Sequence, residues 1–161
     1  MSLSLLREFC AENFTDVPAA IEAGADRIEL CDNLAVGGTT PSAGVIGAAT
    51  VYAHEHGARV MTMIRPRGGD FVYGPAELQM MQSDIETACR LGTDGIVFGC
   101  LERREHGFWL DLSAIEALVA RVRWMQDQRD WSGVPREFDR EDQRIDITFH
   151  MAFDELAPED Q

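Results

Sequence analysis

The sequence predicts an α/β fold in which short parallel strands alternate with amphipathic helices. Three observations carry that reading: five strand-length apolar runs along the chain, helical periodicity in the segments between them, and glycines where helices hand over to strands. Regular alternation argues for parallel strands joined by right-handed crossovers. A length of 161 residues suits one domain, 1–161, with a substantial core. Five strands would complete a doubly wound open sheet, whereas a barrel of eight units needs roughly 250 residues. Periodicity leaves both architectures open.

Leu5 to Cys10 reads as the first strand, and Pro18 to Ala23 falls in a helix. Gly24-Ala25-Asp26 turns the chain into a second strand, Arg27 to Leu30, with Ile28 and Leu30 as its apolar positions. A Gly-rich loop, Val36 to Ser42, leads to a helix from about Gly44 to His56 with Val45, Ala48, Ala49 and Tyr52 at helical spacing. Gly57 fits its C-terminal stop. Val60 to Ile64 has the side chains of a buried parallel strand, and Pro66, unable to donate to a ladder, ends it. After Pro75 a helix carries the stripe Leu78, Met81, Ile85 and Ala88 and stops near Leu91-Gly92.

Gly95 to Phe98 is a fourth, fully apolar strand, and Glu102 to Gly107 reads as a charged turn. A helix from about Leu112 to Gln128 turns Ile115, Leu118, Val119, Val122 and Met125 to one face. Residues 129–144 break the pattern and read as a surface insertion. Ile145 to Phe149 is the fifth strand, ending in His150. Met151 to Gln161 has no strand character, and 155–161 is an acidic tail.

Charge narrows the partners. Fourteen basic against twenty-eight acidic side chains leave a formal net charge of −14, which repels nucleic acid and anionic membrane surfaces. No basic leader precedes a long apolar run and no run reaches the roughly 18 residues of a membrane span, so a cytoplasmic protein is expected. The four cysteines, Cys10, Cys31, Cys89 and Cys100, form no CxxC pair, and reduced thiols are the expectation. Cys89 and Cys100 read as packing residues, Met81 and Met125 as core, and His54, His56 and His106 as solvated surface groups. At the end of the third strand stand Arg65, Arg67 and Asp70, either a site for a small anion or an Arg-Asp brace for the loop.

Six motifs occur in one order along the chain: Glu8-Phe9-Cys10, Gly24 to Cys31, Gly37-Gly38-Thr39-Thr40-Pro41-Ser42, Ile64 to Phe71, Asp94 to Gly99, and Thr148 to Asp154. In order and spacing they resemble the CutC family of copper homeostasis proteins. The resemblance implies a TIM-type barrel, here an incomplete one of about five parallel strands with flanking helices, since family members continue through three further strands. It implies copper handling, and the two cysteines at the family's strand-end positions, Cys10 and Cys31, are the expected ligands of Cu(I), to which soft thiolates are suited. In such a barrel Glu8, Glu29, Arg65, Arg67, Asp70, His150 and Asp154 would converge on one mouth, while Arg27, which begins its strand, lies toward the opposite face. Met151 stands where the family carries an Arg. Two further functions stay open: an enzyme acting on a small anionic or phosphorylated substrate through the Arg/Asp/His mouth, and a truncated, assembly-dependent fragment without activity of its own. Unpaired sheet edges make a homo-oligomer the expected state.

Overall fold

The computed structural model describes residues 5–129 and 144–157. In chain order these form β1 (Glu8–Glu12), α1 (Val17–Glu22), β2 (Arg27–Cys31), α2 (Ala43–Glu55), β3 (Arg59–Met63), α3 (Pro75–Arg90), β4 (Gly95–Phe98), β5 (Leu101–Arg104), β6 (Gly107–Leu110), α4 (Leu112–Gln128) and β7 (Asp146–Phe149). Short 3-10 turns occupy Leu34–Val36 and Met151–Glu155. The expected insertion lies outside the described residues except at Arg129 and Arg144, as do 158–161 of the acidic tail.

Helix starts are set by side-chain caps. The Ser42 hydroxyl accepts the Val45 amide at 3.3 Å, and the Asp111 carboxylate accepts the Ala114 amide at 2.9 Å. At α3 the Glu77 carboxylate reaches back to the Gly74 amide at 2.9 Å, and Pro75 opens the first turn.

Strand order decides between the two α/β architectures. The large sheet runs β1-β2-β3-β4-β7 and every neighbouring pair is parallel. A doubly wound sheet reverses order at a switch point; here each strand adds to the same edge. Crossovers of one hand then place their helices on a single face, where α1 packs on α2, α2 on α3 and α3 on α4. This is the layout of a TIM-type barrel, incomplete at five strands.

The helix-covered face holds the larger core. Ile28, Leu30, Val60, Ile96 and Phe98 of the sheet meet Ile46, Ala49, Met81, Ile85, Leu118 and Val122 of the helices, all buried. The other face carries a second, smaller cluster: Cys31, Met61, Met63 and Val97, each at most 1% exposed. Cys89, Cys100, Met81 and Met125 are buried as expected.

Three expectations are corrected. The first strand begins at Glu8, because Asp26 pins Arg7 through its backbone and its carboxylate, each at 2.9 Å, and leaves Leu5 and Leu6 exposed. The expected charged turn is the antiparallel hairpin β5–β6, in which Arg103 stacks on Phe108 and Arg104 on Trp109, so the arginines that suggested solvent are cross-strand partners. His54 is no solvated group: its Nε2 meets Asp94 Oδ2 at 2.9 Å and ties α2 to the start of β4. The segment after β7 also docks, with Leu156 bridging to Phe108 and the Ala157 amide donating to the Phe108 carbonyl at 3.0 Å.

Candidate functional site

Register brings the two strand thiols together. Cys10 lies opposite Glu29, and Cys31 opposite Glu12, so all four residues share the face away from the helices. Cys10 Sγ and Cys31 Sγ stand 3.9 Å apart, and Glu29 Oε1 is 4.0 Å from Cys31 Sγ. One donor atom from each of Cys10, Glu29 and Cys31 lies within 4.8 Å of the others, the only such three-residue group of metal-ligating type among the described residues. Cys10 is exposed, Glu29 half-buried and Cys31 buried, so the group opens to solvent on one side. Gly38 roofs it: with φ at +86°, a Cβ there would stand 3.1 Å from Cys31 Sγ, so the position excludes any side chain.

Electrostatics hold both thiols protonated in the metal-free chain. Burial, then the Glu29 charge, pushes the Cys10 thiol up. Burial raises Cys31 further, with Cys10 and Glu29 adding to it. Burial also lifts the Glu29 carboxyl above its ordinary range. The pair is nonetheless poorly placed for a disulfide. Cys10 and Cys31 are offset by two residues on strands about 4.8 Å apart, which puts their Cα atoms roughly 8 Å from one another; bridges fail beyond about 7 Å. Incubation with oxidised glutathione is therefore expected to yield no Cys10–Cys31 disulfide, checked by peptide mass mapping; a high yield of the bridged peptide would contradict the register.

The remaining candidates divide into four places. Arg65 is 2% exposed and donates from Nη1 to the Val36 and Gly38 carbonyls at 2.7 and 2.9 Å, and from Nη2 to the Gly69 carbonyl at 2.8 Å. Its guanidinium lies over the Phe71 ring, 4.6 Å from the centroid, and the His150 ring meets the same Phe71 at 4.9 Å. Arg65 and His150 thus do come together, at the carboxyl ends of β3 and β7. Beside them Arg67 bonds Glu77 at 2.5 Å, Asp70 at 3.2 Å and the Val72 carbonyl at 2.9 Å, and Asp70 also faces Arg103 at 3.7 Å. This is the brace that Arg65, Arg67 and Asp70 allowed.

Glu8 stands at the opposite end of the sheet, where it opens β1 and pairs with Arg27; it leaves the mouth because the strand starts three residues later than the apolar pattern suggests. Glu29 sits mid-strand with the sulfurs rather than at the mouth. Asp154 is exposed on the 3-10 turn Met151–Glu155. Met151 packs toward the Gly37 turn, its sulfur 3.2 Å from where a Gly37 Cβ would stand, next to Arg65 Nη1. Tyr73 is the mouth residue that the motifs do not point to; it is 8% exposed and near the Arg65 charge, and an aromatic five residues beyond the Arg67-Gly68 turn is its only sequence signal.

Comparison with known proteins bears on the whole arrangement. The CutC family model matches residues 5–126. A CutC family protein of Enterococcus faecalis is 52% identical over 157 residues, 98% of this chain and 64% of its own. The human protein named copper homeostasis protein cutC homolog is 38% identical over 149 residues, 92% of this chain and 45% of its own. A crystal structure of a copper homeostasis protein CutC from Streptococcus agalactiae superposes with a TM-score of 0.76 at 45% identity, covering 96% of this chain and 62% of that one. The chain therefore spans under two thirds of the length of these relatives. With the matched segment, the identities and the shared parallel sheet in agreement, this chain belongs to the CutC family.

Proposed function

We propose that the chain serves copper homeostasis by binding Cu(I) at Cys10 and Cys31, with Glu29 as a third donor. The observation that carries the reading is the sulfur pair, 3.9 Å apart and open to solvent through Cys10. That spacing lies within the reach of two metal–sulfur bonds of about 2.3 Å each. Two thiolates and one carboxylate do not complete the four-ligand sphere of a structural zinc site, whereas soft sulfur suits Cu(I). The names of the relatives from human and Streptococcus agalactiae, both copper homeostasis proteins, support the same direction.

Because both thiols are held protonated, loading releases protons and apparent affinity rises with pH. Cytoplasmic residence, where thiols stay reduced, fits the four free cysteines. Assembly as a homo-oligomer fits a sheet whose outer strands, β1 and β7, have no second neighbour among the described residues. No helix among the described residues is long and apolar enough to cross a membrane. The test is a Cu(I) titration of the reduced protein against a competing chelator. Cys10→Ser together with Cys31→Ser is expected to lower affinity at least about a hundredfold, and unchanged competition would refute the assignment.

A further inference from the structure

We propose that the mouth of the sheet also binds a small oxyanion, the carboxylate or phosphate end of a metabolite, on Arg65 Nε, Tyr73 Oη and His150 Nε2. Arg65, Tyr73 and His150 are 2%, 8% and 8% exposed, and each of these three atoms is buried without a hydrogen-bond partner among the described residues. Buried polar groups are almost always paired, so three orphans in one neighbourhood mark a place built for something. They share that neighbourhood through Phe71, whose ring contacts both the Arg65 guanidinium and the His150 imidazole, and through the Arg65 charge, which acts on both Tyr73 and His150.

The chemistry of all three atoms is that of a donor. Arg65 uses both Nη atoms on loop carbonyls, which leaves the Nε–H. His150 Nδ1 accepts the Ala152 amide at 3.1 Å, so the proton of the neutral ring sits on Nε2. Burial and the Arg65 charge lower His150 to about 4, which keeps that ring neutral near pH 7. Burial pushes Tyr73 up to about 12, which keeps its hydroxyl protonated. Among the described residues no carboxylate is a hydrogen-bond partner of the Arg65 guanidinium. Three donors beside one uncompensated positive charge are complementary to an acceptor that carries negative charge. The place is the carboxyl end of the strands, where barrels of this type bind their ligands.

The test titrates the protein with inorganic phosphate and, separately, with acetate, at constant ionic strength set by chloride. The thermal midpoint and the nitrogen-15 shift of His150 Nε2 are read together. A saturable response to phosphate, to acetate or to both is expected, and the responding arm names the oxyanion. Tyr73→Phe is expected to weaken that response about tenfold, the scale of one lost hydrogen bond to a charged group. The same variant keeps the ligand-free midpoint, since the hydroxyl it removes has no partner to lose. No saturable response in either arm, an adventitious weak effect equal to that of chloride, or an undiminished response in Tyr73→Phe would overturn the proposal.

Discussion

Arg65→Ala is expected to destabilise the protein by on the order of 3–4 kcal/mol, measured by urea denaturation. The guanidinium holds three carbonyls from two separate loops, Val36 and Gly38 on one side and Gly69 on the other. Truncation leaves those acceptors buried and unpaired and removes the contact with Phe71. Arg65→Lys should recover little of the loss, because one ammonium cannot reach in both directions and cannot stack on the ring. A change below about 1 kcal/mol in Arg65→Ala would mean that the loops are held by other contacts.

The second large effect is a dependence of stability on pH carried by His150. Its folded value, lowered to about 4 from 6.5 by burial and the Arg65 charge, means that the unfolded chain takes up the proton first as pH falls. The associated stability is fully present above pH 6.5 and is lost as pH drops toward 4. Integrated over that window the loss is about 3 kcal/mol. His150→Gln should flatten the stability profile between those limits while leaving the region above pH 7 without a slope of this origin. An unchanged slope in the variant would assign the acid sensitivity to other groups.

The legible part of the fold is the part coded locally. Gly95–Phe98 and Leu112–Gln128 are found where glycine, Asp111 and periodicity put them. Strand order is a tertiary property, and periodicity carries no trace of the choice between a reversing sheet and one that adds to a single edge. The start of β1 departs from the apolar pattern for a physical reason: Leu5 and Leu6 are apolar yet exposed, and the Asp26–Arg7 clamp that starts the ladder joins residues nineteen apart. That shift decides the site as well. Once Glu8 opens the strand, Cys10 faces Glu29 and Glu8 faces Arg27, so one expected mouth resolves into a sulfur group within the sheet and an arginine–histidine group at its end. The residue types are readable in the chain, but their company depends on register.

If Cys10 and Cys31 hold one ion between them, X-ray absorption at the copper edge of the Cu(I)-loaded, reduced protein will report it without intermediaries. Two sulfur neighbours are expected in the first coordination sphere, reduced to one in either single serine variant at Cys10 or Cys31. A sphere made only of nitrogen and oxygen, or one unchanged by both substitutions, would contradict the shared site.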